Sequence, residues 1–281
     1  MNRAQRNSIL CPNCRKLISA DEPRCPHCNT ARPGAWWKAN AWTRGFSDPD
    51  QIIRVIIGAN IAMFLLSILM NPRSAGFSMN PLYFLSPDNQ SLLLLGATGV
   101  YPIERFGRWW TLLSANYLHG SILHIFFNMM AFRQLAPLII NTYGAYRMLI
   151  VYTLGGVAGF LASYLFGIPF TIGASAALCS LMGAALYYGK SRGGTFGTAV
   201  YRQIGGWVIM LYVFGLLMPG INNWGHTGGL VGGAIIGFLV GYHERRRETL
   251  AHKMLAAACA GATVVVLLWA AGSGLYYRSL M

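Results

Sequence analysis

Residues 225–237 read Gly-His-Thr-Gly-Gly-Leu-Val-Gly-Gly-Ala-Ile-Ile-Gly, and this stretch decides how the chain folds. At about 100° per residue, Gly229, Gly233 and Gly237 lie within about 60° of His226 on one helix face. Small residues on one face let two membrane helices approach closely. A polar residue inside such a segment is costly and is therefore a candidate functional residue. The stretch predicts a tightly packed membrane helix that holds a histidine against a neighbouring helix.

The composition of the whole chain is typical of a membrane protein. The chain has 281 residues, of which 54% are hydrophobic and 11% are charged, and its mean hydropathy is +0.43. These values lie outside the range of ordinary soluble domains. The formal net charge of +14 does not indicate nucleic-acid binding, because the cations lie mainly between apolar segments. We therefore expect a lipid bilayer, and no nucleic acid, as the surroundings of this chain.

Seven apolar segments are long enough to cross a bilayer, which takes roughly 20 residues for a helix. They are predicted at about 52–70, 119–139, 146–166, 172–189, 204–218, 225–242 and 255–275. Inside lipid every backbone polar group needs an internal partner, so the spans are helices. The sequence predicts an all-α polytopic membrane protein whose bundle has six core spans plus a C-terminal seventh.

The order of these segments predicts four parts of the chain. They are a polar module at 1–34, an interfacial linker at 35–50, a membrane domain at 51–275 and a tail at 276–281. The first fifty residues lack the features of a secretory signal, so we expect a cytosolic N-terminus. This orientation satisfies the positive-inside rule. The predicted inner loops carry Arg133, Arg147, Lys190, Arg192, Arg202, Arg245, Arg246, Arg247 and Lys253, and the outer ones Arg73, Arg105, Arg108 and Arg278.

Three of the spans enter the membrane from the outer side and carry polar residues in their first turns. These residues are His119, His124 and Asn128 in span 2, Ser175 in span 4 and His226 in span 6. Because they all follow the outer end of a span, the three sets lie at a similar depth. Spans 4 and 6 are both rich in small residues, which predicts that Ser175 lies within reach of His226.

A serine becomes a nucleophile when a positioned base takes its proton, and an imidazole is the usual base. A carboxylate often orients that imidazole. No Asp or Glu occurs between Glu104 and Glu244, so the membrane core has no such carboxylate. The residues therefore predict a Ser–His dyad formed by Ser175 and His226.

Nucleophilic attack creates an oxyanion, which needs hydrogen-bond donors where the charge develops. The candidates are the His124 imidazole, the Asn128 amide and the backbone N–H of Ser175. Each side chain also has a structural alternative: helix packing for Ser175 and an interhelical hydrogen bond for His226. His124 and Asn128 could instead bond each other or the neighbouring backbone. We interpret His119 as structural and Cys179 as an inert buried thiol.

Taken together, these motifs resemble the rhomboid family of intramembrane proteases. The motifs are the histidine and asparagine set of span 2, Gly173-x-Ser175, and Gly225-His226 with the glycine stripe, and the resemblance covers about residues 50–275. It implies that Ser175 is the nucleophile, that His226 is the base, and that His124 and Asn128 stabilise the oxyanion. It also implies that span 5 and the loop at 219–224 form the substrate gate and cap.

The resemblance implies an intramembrane serine endopeptidase that cleaves transmembrane protein substrates near the outer membrane face. No cofactor is expected for the catalysis, and the expected location is a bacterial plasma membrane. The alternative is a non-proteolytic rhomboid-like protein that binds or chaperones transmembrane helices. A transporter is disfavoured because the spans have no obvious inverted repeat.

Four cysteines form two CxxC pairs in the polar N-terminal module. They are Cys11, Cys14, Cys25 and Cys28. This spacing looks like a zinc ribbon, in which four thiolates hold a structural Zn²⁺ ion in a tetrahedral site. So short a module has too little apolar surface to fold alone, so metal binding would supply its stability. Redox-active cysteine pairs are the alternative.

Overall fold

The computed structural model describes residues 8–11, 14, 16–35, 49–73, 76–77, 84–218, 220–246 and 248–280. Most of the predicted interfacial linker, residues 36–48, lies outside these ranges, and so does Arg247. The chain divides into two compact units, with the division between Ile52 and Ile53.

The N-terminal unit contains a two-stranded antiparallel hairpin. Strand β1 (Ser8–Leu10) pairs with strand β2 (Leu17–Ser19), and Ile9 lies opposite Ile18. Ile18 packs in a small apolar cluster whose other members are mainly the cysteines. So small a cluster gives little stabilisation from apolar burial, which agrees with the need for another source of stability.

The two cysteine pairs of this unit lie in loops that repeat one backbone hydrogen bond. The N–H of Cys11 donates to the C=O of Lys16, and the N–H of Cys25 donates to the C=O of Thr30, both at 2.9 Å. Each bond closes a tight loop around one pair of cysteines. The two loops therefore present their sulfur atoms in similar ways.

Ten α-helices occur among the described residues. They are α1 (Pro49–Leu69), α2 (Asn89–Leu94), α3 (Val100–Phe106), α4 (Thr111–Ser114), α5 (Ile122–Tyr143), α6 (Ala145–Leu165), α7 (Ser175–Arg192), α8 (Gly194–Leu217), α9 (Asn223–Val240) and α10 (Leu250–Ser279). The seven with at least 18 residues, α1 and α5 to α10, match the seven predicted spans.

Five of these seven helices are long and apolar enough to cross a bilayer: α1 from Asp50, α5, α6, α8 and α10. The exceptions are α7 and α9, the helices that begin near Ser175 and His226. Helix α7 is buried on nearly all sides, and α9 buries a face of small residues, so neither needs an apolar surface all round. The predicted polytopic helical fold is confirmed, although the described residues also include two short strand pairs.

Some predicted boundaries are wrong. Helix α8 begins at Gly194, well before the predicted start of span 5 at residue 204, because its polar first half packs against α7 through buried residues such as Val200. Helix α10 begins at Leu250 and continues to Ser279, so it extends beyond both ends of the span predicted at about 255–275. Six of the nine cations assigned to inner loops lie within helices instead. They are Arg133 in α5, Arg147 in α6, Lys190 and Arg192 at the end of α7, Arg202 in α8 and Lys253 at the start of α10.

The fully buried Arg147 ties the start of α6 to the loop between α9 and α10. Its guanidinium group donates to the C=O of Arg246 at 2.7 Å. In the same place the carboxylate of Glu248 accepts the N–H groups of Tyr146 and Arg147, at 3.1 and 3.3 Å. An anion at a helix N-terminus is favourable because the first N–H groups have no partner inside the helix. Arg147 is therefore part of the packed protein, whereas it was predicted to lie in a loop.

Helices α7 and α9 pack through the predicted glycine stripe. A Cβ atom on Gly233 would lie 1.9 Å from the carbonyl oxygen of Ser180, and one on Gly229 would lie 2.2 Å from that of Ala176. Gly183 on α7 faces the α9 backbone in the same way. No side chain fits at these positions, so the predicted close approach of the two helices is confirmed.

The long loop between α1 and α5 contains strands β3 (Gly76–Phe77) and β4 (Phe84–Ser86) together with α2, α3, α4 and a 3₁₀ turn. It also supports the segment that leads into α7. Thr98 and Thr171 exchange two backbone hydrogen bonds, at 3.1 and 2.7 Å, and the N–H of Gly173 donates to Ala115 at 2.9 Å. This loop therefore holds the residues just before Ser175 at two points.

Candidate active site

Ser175 is the first residue of α7 and is partly exposed, whereas the residues that follow it are buried. The turn before it needs a glycine, because Gly173 has a φ of 127°, which is unfavourable for other residues. This turn ends the extended segment and starts the helix at the serine. The hydroxyl group is thus presented at the N-terminal end of the helix.

His226 lies in the first turn of α9 and is only 6% exposed. Its Nε2 atom lies 2.9 Å from Oγ of Ser175, which is hydrogen-bonding distance. For Nε2 to accept the serine proton, the neutral ring carries its own hydrogen on Nδ1. Nδ1 has no hydrogen-bond partner within the described parts of the chain. The two predicted side chains meet, and among the described residues no carboxylate contacts the imidazole.

His124 presents a hydrogen-bond donor next to this pair. The backbone N–H of Gly120 lies 3.2 Å from its Nδ1 atom and donates to it. A ring nitrogen that accepts carries no hydrogen, so the neutral ring of His124 has its hydrogen on Nε2. A Cβ atom on Gly173 would lie 2.8 Å from that Nε2 and 3.6 Å from Oγ of Ser175. The missing side chain therefore leaves space between the serine hydroxyl and a ring N–H.

Asn128 and His119 have different surroundings. The amide nitrogen of Asn128 donates to the C=O of His124 at 2.8 Å, one turn earlier in α5, and its second hydrogen is left for another acceptor. His119 is fully buried, and its ring lies edge-on to that of His124 with the centroids 4.9 Å apart. Asn128 thus makes a structural hydrogen bond to the backbone of its own helix, and its second amide N–H can still donate.

Sequence reasoning missed two contributions to this arrangement. Gly120 acts through its backbone N–H, which no side-chain pattern reveals. Asn222 caps α9, since its side-chain oxygen accepts the N–H of Gly225 at 2.9 Å. An Asn just before the glycine-rich run of α9 is a recognisable capping signal that could have been used.

The four N-terminal cysteines form a compact cluster whose sulfur atoms all lie within 4.8 Å of one another. Sγ of Cys11 lies 3.6 Å from that of Cys28, and Sγ of Cys14 lies 3.6 Å from that of Cys25. Tetrahedral Zn–S bonds of about 2.3 Å place the sulfurs about 3.8 Å apart, whereas a disulfide needs about 2.05 Å. The donor set therefore fits a Zn²⁺ ion better than disulfide pairs.

One cysteine of the cluster is already favoured as a thiolate. The hydroxyl group of Thr30 lies 3.1 Å from Sγ of Cys28, and this hydrogen bond lowers the pKa of the thiol to about 5. Thiolates are the form that binds zinc. Cys179 and Cys259, by contrast, are single buried cysteines in helices and do not belong to the cluster.

Comparison with known proteins identifies the class of protein that this fold and site represent. The rhomboid domain matches residues 106–243. The chain is 34% identical to rhomboid protease GluP of Bacillus subtilis over 152 residues, which are 53% of this chain and 29% of GluP. It is 32% identical to the putative rhomboid protease YdcA of Bacillus subtilis over 148 residues, which are 50% of this chain and 72% of YdcA.

Plant proteins are also similar. RHOMBOID-like protein 7 of Arabidopsis thaliana is 28% identical over 227 residues, which are 72% of this chain and 71% of that protein. The chain belongs to the rhomboid family and is an integral membrane protein. It spans only 29% of GluP and 52% of RHOMBOID-like protein 4, so about half or less of these relatives is matched.

Proposed function

We propose that this protein is an intramembrane serine endopeptidase with Ser175 as nucleophile and His226 as general base. The observation that carries the proposal is the 2.9 Å contact between Oγ of Ser175 and Nε2 of His226. Such a contact lets the imidazole take the proton as the serine attacks. The names of two relatives, a rhomboid protease and a putative rhomboid protease, support the same reaction class.

The reaction proceeds in two steps. Oγ of Ser175 attacks the scissile carbonyl carbon while Nε2 of His226 takes the hydroxyl proton, and the imidazolium then returns that proton to the leaving amine. The resulting acyl-enzyme is hydrolysed when a water molecule attacks the ester carbonyl and gives its proton to the same imidazole. The serine hydroxyl is restored, and no cofactor takes part in either step.

The developing oxyanion needs donors that are fixed before the reaction. The N–H at Nε2 of His124 faces the space left by Gly173, next to the serine oxygen. The backbone N–H of Ser175 is the first of α7 and has no partner inside the helix. We assign both groups, together with the free amide hydrogen of Asn128, to the oxyanion hole.

The proposed substrates are transmembrane proteins. Ser175 and His226 lie at the N-terminal ends of α7 and α9, where both helices begin, so cleavage occurs near one face of the membrane. A substrate helix hides its carbonyl groups in hydrogen bonds and has to unwind before attack. It approaches past α8, whose second half exposes large apolar residues such as Met210 and Leu216.

The cation distribution supports a cytosolic N-terminus. The end of the bundle opposite Ser175 carries Lys190, Arg192, Arg245, Arg246 and Lys253, as the positive-inside rule requires of a cytosolic face. Ser175 then lies toward the outer face. By similarity to the Bacillus proteins, we propose that the protein lies in a bacterial plasma membrane, and that the four cysteines hold a structural Zn²⁺ ion on its cytosolic side.

A cleavage assay with purified protein in nanodiscs tests the proposal. The wild type should cleave a transmembrane model substrate, and Ser175→Ala and His226→Ala should each lose about 10³-fold or more in rate. Cys179→Ala is the matched control, because it removes the other nucleophile near the site and should keep the rate within about twofold. Equal rates for the wild type and Ser175→Ala would exclude the proposed nucleophile and favour a non-proteolytic helix-binding protein.

A further inference from the structure

The side chain of Asn222 connects three parts of the membrane unit. Its oxygen caps α9 by accepting the N–H of Gly225, and its amide nitrogen donates to Oγ of Ser163 at 2.7 Å and to Oγ1 of Thr171 at 2.9 Å. Ser163 belongs to α6, and Thr171 belongs to the segment that leads to Ser175. Its backbone C=O also accepts the N–H of His226 at 3.2 Å.

These contacts form a second link between the chain segments of the dyad. Asn222 lies four residues before His226, and Thr171 lies four residues before Ser175. The amide of Asn222 therefore joins the two segments just outside the contact between the imidazole and the hydroxyl. Two hydrogen bonds that join the same pair of segments fix both their separation and their relative orientation.

Both acceptors of the Asn222 amide are themselves held in place. Ser163 is fully buried, and its hydroxyl donates to the C=O of Gly159 at 3.0 Å, which leaves a lone pair for Asn222. Thr171 is buried and exchanges two backbone hydrogen bonds with Thr98. The start of α9 is thus attached to rigid neighbours.

The lack of a side chain at Gly225 leaves space for the amide group of Asn222. A Cβ atom on Gly225 would lie 2.9 Å from Nδ2 of Asn222 and 2.9 Å from Oγ of Ser163, so the absence of a side chain lets the bond form. The first turns of α9 also contain Gly228 and Gly229, and glycine is a weak helix former. A helix start of this composition needs an external anchor if the histidine in it is to keep one position.

We infer that Asn222 is a positioning residue for the dyad. Where a carboxylate orients the histidine in other serine hydrolases, this chain has none, and Nδ1 of His226 has no partner among the described residues. Asn222 takes over this task at the level of the backbone, because it fixes the turn that carries the imidazole against the segment that carries the hydroxyl. The inference rests on the proposed function, since positioning matters only if the dyad reacts.

The test separates capping from bridging. Asn222→Ser keeps a good N-cap but cannot reach both Ser163 and Thr171, and Thr171→Val removes one acceptor at nearly constant shape. Thr142→Val, at the opposite end of the bundle, is the matched control for loss of a buried threonine hydroxyl. For each variant, kcat and KM for a transmembrane substrate, the rate of Ser175 labelling by a small fluorophosphonate and the thermal unfolding midpoint are measured.

We expect Asn222→Ser to lower kcat and the labelling rate by about 10- to 100-fold, with KM within about threefold, because a misplaced catalytic group costs rate more than binding. Thr171→Val should lower kcat and the labelling rate by about 3- to 10-fold. The double variant should be no slower than Asn222→Ser, because both substitutions remove the same hydrogen bond between Asn222 and Thr171. Thr142→Val should label at the wild-type rate.

Two results would overturn this inference and leave the proposed function intact. One is wild-type kcat and labelling in folded Asn222→Ser, and the other is full additivity of the two substitutions. If Asn222→Ser does not fold, Thr171→Val decides: wild-type labelling by this variant rejects the inference, and slowed labelling supports it. Equal cleavage by the wild type and Ser175→Ala would instead overturn the proposed function, and this inference with it.

Discussion

Helices α8 and α9 both pack against α7, and they do so in different ways. Helix α9 buries one continuous face along its length, consisting of Gly225, His226, Gly229, Gly233, Gly237 and Val240. Helix α8 buries Gly197, Val200 and Ile204 in its first half and, beyond them, only Gly215 among its buried residues. In the second half of α8 the side chains of Met210 and Leu216 are 74% and 81% exposed.

The contacts between α8 and α9 are correspondingly sparse. Among the described residues, their side-chain hydrogen bonds are those between Tyr212 and Thr227, at 2.7 Å, and from Asn223 to the C=O of Gly215, at 3.1 Å. Gly205 and Gly206 lie where the buried half of α8 ends, and a Cβ on either would touch nothing within 4 Å. Packing does not require these glycines, so they weaken the helix there.

Of the two neighbours of α7, α9 is packed along a continuous buried face, whereas the second half of α8 is only loosely attached. A dyad without a carboxylate depends on the exact separation of α7 and α9, which backbone contact through glycines provides. Under the proposed function a substrate helix needs a way in from the lipid, and we propose that it enters past the loosely attached half of α8. Four predictions test this division.

The largest effect is expected from filling the contact between α7 and α9. Gly233→Ala places a Cβ atom 1.9 Å from the carbonyl oxygen of Ser180, so the helices have to separate. We expect the free energy of unfolding to fall by about 3 kcal/mol or more, with loss of cleavage. Gly206→Ala in α8 is the matched control and should be as stable as the wild type, or more stable by up to about 1 kcal/mol, because alanine is the better helix former and its Cβ meets open space. Equal unfolding midpoints of Gly233→Ala and Gly206→Ala in detergent would contradict the close packing of α7 against α9.

Gly173→Ala tests the space beside the dyad without disturbing the helix contact. The added Cβ atom would lie 2.8 Å from Nε2 of His124, so the ring has to move. We expect kcat to fall about 10²- to 10³-fold with little change in KM, as for loss of an oxyanion donor. Gly167→Ala also changes a glycine of positive φ, 75°, but has open space around it, and should keep most activity. Matching losses in the two variants would indicate backbone strain alone.

Tyr212→Phe removes one of the two hydrogen bonds that hold α8 to α9. If that half of α8 controls access, cleavage of a transmembrane substrate should rise about two- to fivefold, since one neutral hydrogen bond contributes about 1 kcal/mol. Labelling of Ser175 by a small fluorophosphonate should not change, because the probe needs no such opening. Tyr201→Phe, in the first half of α8, is the control. Altered labelling would mean that α8 also sets the geometry of the dyad.

The smallest effect on the dyad is expected from the N-terminal unit. Cys11→Ser removes one of the four sulfur donors and should lower bound zinc from about one ion per chain to well below that. Cys259→Ser should retain the metal. Both variants should label Ser175 at the wild-type rate, because the hydrogen bonds described above that hold Ser175 and His226 in place are made by residues of the membrane unit. Zinc analysis of full-length protein together with labelling kinetics checks both statements.

The sequence predicted the parts of this molecule that depend on residue type and spacing. The helical spans, the glycine stripe from Gly229 to Gly237 and the cysteine pairs follow directly from such patterns. The start of α8 at Gly194 does not follow from such a pattern. The first half of this helix is polar and is stabilised by packing against α7, which a hydropathy profile does not detect. The burial of Arg147 could not be predicted either. Its guanidinium group donates to the C=O groups of Tyr143 and Arg246, and no sequence pattern marks such acceptors.

The candidate site divides in the same way. Ser175, His226, His124 and Asn128 are candidates from the sequence because polar residues stand out among apolar ones. The tautomer of His124 could not be predicted, because it depends on the backbone N–H of Gly120. Backbone donors and long-range hydrogen bonds carry no signature in side-chain pattern, so their contribution appears only when the chain is folded.

The most direct measurement is mass-spectrometric identification of the residue modified by a fluorophosphonate in the intact protein in nanodiscs. An activated serine reacts, whereas an ordinary serine hydroxyl does not. We predict a single adduct on Ser175 in the wild type and almost none in His226→Ala at an unchanged unfolding midpoint. An adduct on another residue, or equal labelling of Ser175 with and without the imidazole, would contradict the account.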